Sequence, residues 1–266
     1  MMLTIATIQS SIGASVGING AHIRGMMRRA SASGAELAHF PEGALSGYAG
    51  QEIWGWDSVN WDEIEAELAS IGALARELGL WVCLGSAHAL PAPHRPHNSI
   101  WVISDQGKRV HRYDKRMCSN SEVTYWFTPG RAPLVFDVAG IRLGVAICIE
   151  AAFPALFAEY EAMQVQCMLV SCYSADPAHG LMARAHAATN CYWLSLSTPM
   201  SCSATLPSQG VGPEGDILAQ CAPGSPGMAL FTIDPDALQY QIPLHFRRPW
   251  RARARSGEIY AGLAVD

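Results

Sequence analysis

The sequence predicts an α/β fold containing a mixed β-sheet. Short apolar, β-branched runs alternate with amphipathic helical patterns along the chain, which favours layers of strands and helices. Tight hairpin signals within that alternation require some antiparallel pairs. No repeat, low-complexity stretch or long linker divides the 266 residues, so residues 1–266 are expected to form one domain.

The elements follow in order. LTIATIQ (Leu3–Gln9) reads as a buried opening strand, and residues 22–33 as a helix. After Gly34 comes a second strand, ELAHF. From Ser58 to Leu78, the residues Trp61, Ile64, Leu68, Ile71, Ala75 and Leu78 recur every three or four positions, the spacing of one helical face. Ser58 is the expected N-cap, and Gly79 the stop. LWVCLGSAHAL is a strand, and SIWVISDQGKRVHRYDK a hairpin turning at 105–107. LVFDVAGIRLGVAICIE is a strand pair that turns at Ala139–Gly140 and ends on Cys148. Helices at 153–163 and 180–190 flank the strand CMLVSCYS. CYWLSLSTP, a hairpin around GPEGD, and MALFTID complete the series.

Composition narrows the function. Half of the residues are hydrophobic, 15% are charged and the net charge is -5, which suits a packed globule without general attraction to nucleic acid or anionic lipid. Arg247, Arg248, Arg251, Arg253 and Arg255 are a local exception, read as a solvated or subunit-contacting tail. The opening residues lack the basic flank of a signal peptide, and no run of about 18 apolar residues occurs, so a cytoplasmic protein without a membrane span is expected. The eight cysteines are then expected to stay reduced. None has metal-site spacing, and His94 and His97 read as loop histidines.

Three segments carry polar groups in places suited to chemistry. An apolar strand delivers Cys148 to a point where a helical pattern resumes, so the thiol sits at the edge of a sheet beside free backbone N–H groups. Taken alone, it also reads as a buried strand cysteine. In AELAHFPEGALSGY, a strand runs into Pro41, and Glu42 projects from a Gly-rich turn. In KRVHRYDKRM, Lys115 lies just beyond a strand, where a lone lysine is ordinarily solvated.

Taken in register, these pieces resemble the nitrilase superfamily, the carbon–nitrogen hydrolases, whose catalytic Glu, Lys and Cys occur in this order. The likeness covers nearly the whole chain: ATIQS, FPEGALSGY, GSAH followed by HNSIWVI, RYDKR, WFTPG, GVAICIE, ARAHAATN and GPEGDIL. It implies a four-layer αββα sandwich of two mixed sheets, commonly paired as a dimer. It also implies Glu42, Lys115 and Cys148 as catalytic residues, with Glu122 as a second glutamate orienting the lysine. Glu150 fills a position usually acidic in the family and is read as structural support. Ala155 departs from the family's frequent glutamate. Tyr48, Trp126, Tyr173 and His179 border the pocket that the resemblance implies. The first three are candidates for substrate contact, although packing is the commoner role for such residues.

The expected chemistry is hydrolysis of a non-peptide C–N bond in a small amide. A free thiol has a pKa of about 8.5, so Glu42 is expected to take its proton as sulfur attacks. Lys115 and the Ile149 backbone N–H would hold the oxyanion, and no metal or organic cofactor is needed. A nitrile or an N-carbamoyl amide could use the same triad, and acyl transfer the same thioester. The reading of another class is a non-catalytic scaffold on this fold. Gly210-Val211-Gly212-Pro213-Glu214-Gly215 matches a dinucleotide-loop spacing but reads as a hairpin, and there is no G-x-S-x-G elbow.

Overall fold

A computed structural model describes residues 1–265. Sheet one takes the order β12-β1-β2-β3-β4-β5, and sheet two the order β11-β10-β9-β8-β7-β6. In chain order, sheet one holds β1 (Leu3–Gln9), β2 (Leu37–His39), β3 (Trp81–His88), β4 (His97–Ile103), β5 (Arg109–Asp114) and β12 (Gly227–Ile233). Sheet two holds β6 (Val135–Val138), β7 (Ile141–Ile147), β8 (Cys167–Ser171), β9 (Trp193–Ser197), β10 (Gln209–Val211) and β11 (Ile217–Gln220). The inner strands β1, β2 and β3 run parallel, as do β7, β8 and β9, and the hairpins add antiparallel edges. These are the two mixed sheets that the resemblance implies.

Side-chain alternation along the strands builds the layers. Leu3 and Ile5 face the second sheet, joining a core with Leu143, Val145, Leu169 and Leu194. Ala6 and Ile8, on the opposite face of β1, meet Ile23 and Met27 of α1 (Val16–Ala32) and Ile64, Leu68 and Ile71 of α2 (Trp61–Leu78). On the far side, α3 (Pro154–Ala162) contributes Phe157 and Tyr160, and α4 (Ala178–Asn190) contributes Ala183 and Ala187. The order is helix, sheet, sheet, helix. A polar seam joins the sheets: His39 bridges Ser195 at 2.8 Å and Ser171 at 2.9 Å. Burial lowers the His39 pKa to about 3, so the ring is neutral.

Four expectations need correction. Helix α1 starts at Val16, because Ser15 caps it by accepting from the Ile18 N–H; Gly17 and Gly20 had masked the pattern. Gly20 faces α2, where a Cβ would meet the carboxylate of Glu67 and push that side chain aside. The cap of α2 is Asn60, which accepts from Glu63 N–H at 3.1 Å, while Ser58 sits in a separate 3₁₀ turn. His97 opens β4 rather than lying in a loop, and its Nδ1 hydrogen-bonds the Thr128 carbonyl at 2.6 Å. The arginine stretch is only in part the solvated tail expected: Arg247 and Arg253 are exposed, while Arg248 and Arg251 pack on the chain. The stretch forms α5 (Arg248–Arg255), where Arg248 and Arg255 pair with Glu161 and Arg251 donates to the Ala188 carbonyl at 2.6 Å. Carbonyls ending α4 and a buried carboxylate on α3 give those cations partners. Gly212 N–H donates to the Asp216 carbonyl at 2.8 Å, so the glycine spacing at 210–215 is a hairpin turn and opens no helix.

Candidate active site

Parallel strands of both sheets end at one place, where α/β folds commonly bind ligands. Beyond β2, Phe40 and Pro41 lead to Glu42, which is fully buried. That turn needs Gly85 on the neighbouring strand: a Cβ there would lie 2.2 Å from the Pro41 carbonyl oxygen and 2.9 Å from Glu42 Cα. Lys115 follows β5 directly, and its N–H donates back to the Asn98 carbonyl at 2.8 Å. Glu122 stands on the turn Glu122–Trp126, and its Oε2 accepts from Ser119 N–H at 2.7 Å.

Three of the sequence-predicted residues meet directly. Lys115 Nζ donates to Glu42 Oε1 at 2.9 Å and to Glu122 Oε1 at 2.8 Å, with all three side chains buried. Asn98 Nδ2 donates to the same two oxygens, at 2.7 and 3.2 Å. The second Glu42 oxygen accepts from Tyr173 N–H at 2.8 Å. Burial disfavours the Lys115 charge, but Glu42 and Glu122 outweigh it and hold its pKa well above the ordinary lysine value. Glu122 is likewise opposed by burial, yet Lys115 and its other donors keep it below the usual carboxylate range. Glu42 goes the other way: burial dominates and raises it well above that range despite the ammonium.

Cys148 sits one residue past β7, opening the 3₁₀ turn Cys148–Ala152. Its φ of 49° is left-handed backbone at a non-glycine residue, which turns the chain sharply out of the sheet. The side chain keeps 8% exposure. Its sulfur accepts from Cys172 Sγ at 3.2 Å and lies 3.8 Å from His179 Nε2. The Cys172 thiol, then His179 and the Lys115 charge, draw the Cys148 pKa well below the ordinary thiol value against the cost of burial. Burial moves the other seven cysteines upward, Cys221 to about 11 and Cys118 to about 12. Strongly perturbed groups gathered in one place mark candidate functional sites. The same sulfur and ring nitrogen, with Cys172, form the one cluster of three potential metal ligands among the described residues.

Glu150 ties the two halves of the site together. Its carboxylate accepts from Ile147 N–H at 2.7 Å, below the cysteine, and from Arg116 and Met117 N–H at 2.8 and 3.0 Å, just after the lysine. Tyr113 Oη donates to it at 2.8 Å. Ile149 is the second residue of the cysteine's turn, so its N–H belongs to those that a helical turn leaves without an internal partner.

The candidates for substrate contact lie around this centre, in different ways. Tyr48 Oη donates to Glu122 Oε1 at 3.1 Å, and its ring stacks on Tyr173 at 5.0 Å. Tyr173 Oη donates to Glu52 at 2.6 Å. Trp126 packs edge-on against Trp56 at 6.1 Å, in a small cluster under the turn. Asn98, Cys172 and the thiol contact of His179 were missed by sequence reasoning. A usable signal existed for Cys172, which follows the end of its strand by one residue, as Cys148 does.

Comparison with known proteins bears on the fold and the family. The carbon–nitrogen hydrolase profile matches residues 4–241, and the chain belongs to that family. Curated relatives include the deaminated glutathione amidase of Bos taurus, 29% identical over 66% of this chain and 61% of that protein. The Mus musculus protein of that name is 28% identical over 65% and 60%. The chain thus spans about three fifths of the length of the curated relatives it matches. An amidase of Nesterenkonia sp. AN1 from the nitrilase superfamily shares the fold, with TM-score 0.77, 22% identity and coverage of 94% and 97%. A mutant of that amidase in complex with butyramide aligns with the same TM-score, identity and coverage.

Proposed function

We propose that this chain is an amidase, cleaving the C–N bond of a small linear amide through a thioester on Cys148. One observation carries the reading: a buried ammonium is clamped between two carboxylates, and Cys172, His179 and the charge of that ammonium draw Cys148 toward its thiolate. The directions of the Glu42 and Cys148 shifts favour a resting state with the proton on Glu42 and the negative charge on sulfur. In that state the thiol proton has already reached Glu42, one step earlier than the sequence-based expectation.

In the proposed cycle, the Cys148 thiolate adds to the amide carbon and the carbonyl π electrons move to oxygen. Lys115 and the Ile149 N–H stabilise that oxyanion, each such donor contributing about 3–4 kcal/mol in comparable enzymes. Glu42 gives its proton to the leaving nitrogen, the C–N bond breaks, and ammonia or an amine departs. A water then loses a proton to Glu42 as its oxygen attacks the thioester. Collapse releases the acid and returns the thiolate, with the proton again on Glu42. Glu122 and Asn98 fix the lysine and the acid, while Tyr48, Tyr173 and Trp126 are proposed to border the acyl group.

We further propose that the chain works as one catalytic domain in the cytoplasm and pairs into a homodimer. The exposed row Leu238, Ile242, Phe246 and Trp250 supports the pairing. No helix among the described residues is long and apolar enough to cross a membrane.

The test is hydrolysis of a panel of amides, read as ammonia release from butyramide, N-carbamoyl amino acids and nitriles, and as release of the free amine from deaminated glutathione, whose amide nitrogen is substituted. Amide turnover by the wild type, lost in a folded Cys148→Ala variant, is the expected result. Retention of more than about a tenth of turnover by that variant would overturn covalent catalysis. Turnover of nitriles alone would move the chain to the nitrilase chemistry.

A further inference from the structure

Cys172 takes no part in the proposed cycle, yet it is pressed against the nucleophile. Strands β7 and β8 run parallel with Ile147 paired to Ser171, and Cys148 and Cys172 each follow by one residue. Neighbouring strands lie about 4.8 Å apart. That spacing falls inside the window of roughly 4.4–6.8 Å between Cα atoms that a disulfide spans. The two sulfurs are already 3.2 Å apart. Cys172 has no solvent exposure, and its N–H donates to the Ser197 carbonyl at 2.8 Å, which fixes its backbone beside Cys148.

With His179 the pair also forms a trio of soft donors. A tetrahedral zinc ion with Zn–S bonds of about 2.3 Å holds its sulfurs roughly 3.7 Å apart. The pair would have to open for a metal. Forming an S–S bond of about 2.05 Å needs a closure of about 1.2 Å, within reach of small side-chain rotations, against an opening of about 0.5 Å for a metal, so the two are told apart by the chelator arm of the test.

We propose that Cys148 and Cys172 form an oxidative modification site, in which hydrogen peroxide oxidises Cys148 and Cys172 resolves the product as a reversible disulfide. The Cys148 thiolate attacks one peroxide oxygen, the O–O bond breaks, and the hydroxide that leaves is protonated to water. Cys148 is then a sulfenic acid. The Cys172 sulfur attacks the Cys148 sulfur and displaces its hydroxyl, which departs as water with the Cys172 proton. Two thiols and one peroxide become one disulfide and two waters. An external dithiol returns both thiols by exchange. While the disulfide lasts, the nucleophile is masked. It is also protected from the sulfinic and sulfonic states, which thiols do not reverse. The step uses the sulfur of the proposed cycle but needs no amide turnover, so the two readings fail separately.

The experiment treats the reduced full-length protein with hydrogen peroxide and reads intact mass. Cleavage after glutamate then separates residues 123–150, which contain only Cys148, from residues 162–214, where fragmentation of the cross-linked peptide distinguishes Cys172 from Cys167, Cys191 and Cys202. The expected result is a mass lower by about 2 Da and a cross-link between those peptides at Cys148 and Cys172. Dithiothreitol should restore the mass and the reactivity of Cys148 toward a haloacetamide. In Cys172→Ala and, independently, Cys172→Ser, peroxide should add about 16–48 Da to Cys148, with the larger adducts resisting dithiothreitol. Oxygen adducts on wild-type Cys148 beside an unmodified Cys172 would overturn the proposal. So would a cross-link to another cysteine, or loss of reactivity reversed by a chelator and not by a dithiol.

Discussion

The two sheets contribute unlike halves of the candidate site. Sheet one and its loops bring charge: Glu42, Lys115, Glu122 and the amide of Asn98, held together by contacts among their own side chains. Sheet two brings sulfur and backbone: Cys148, Cys172 and the Tyr173 N–H, placed by the register of two parallel strands. The charged half is stable only while every partner is present, because each group is buried and depends on the others. The thiol half stands on backbone pairing, so its fold should tolerate loss of the sulfur that does the chemistry.

That contrast is sharpest at the lysine. Lys115→Met strands two buried carboxylates, and breaking such a cluster typically costs about 3–5 kcal/mol. Urea unfolding should show that loss, while Cys148→Ala should shift the midpoint by no more than about 1 kcal/mol. Equal destabilisation by the two variants would break the comparison. Glu42→Gln keeps the shape of the charged half but cannot carry the proton. Turnover should fall on the order of 10²–10⁴-fold with the fold intact.

The joint between the halves is Glu150. Glu150→Ala removes the acceptor shared by Ile147, Arg116 and Met117, so cysteine and lysine lose their common anchor. A misplacement of about 1 Å can reduce turnover on the order of 10²-fold, and kcat should drop with the thiol still present. Tyr48→Phe is the smallest change. It deletes one donor to Glu122, worth about 1 kcal/mol, and should lower kcat/KM several-fold without altering the unfolding midpoint much.

Part of each half was legible in the sequence, because Glu42 and Lys115 in the charged half and Cys148 in the thiol half each stand just beyond a strand end that its apolar run marks clearly. Strand periodicity alone gave an α/β fold, and the four layers came from the resemblance, since face-to-face packing leaves no local pattern. Asn98 was hidden because it acts only after β4 pairs with β5 and the loop to Glu122 folds back. Cys172 was hidden for a similar reason: its neighbour across the sheet lies 24 positions away in the chain. Glycines at 17 and 20 disguised the start of α1, and both sit against α2 beside Glu63 and Glu67. The C-terminal arginines looked solvent-bound because their partners, Glu161 and the end of α4, precede them by more than 60 residues.

The most direct measurement is the rate of Cys148 alkylation by a haloacetamide as a function of pH, read peptide by peptide so that the other seven cysteines serve as internal controls. An ordinary thiol near pKa 8.5 loses reactivity about tenfold per pH unit below that value. Here the thiol pKa is lowered, so the thiolate persists as pH falls and is lost only on passing the depressed pKa. The alkylation rate of Cys148 should therefore stay nearly flat from about pH 8.5 to pH 7 while the buried cysteines remain unlabelled. A tenfold decline per unit across that interval, as for a free thiol, would contradict the proposal that Cys148 is held toward its thiolate by Cys172, His179 and the Lys115 charge.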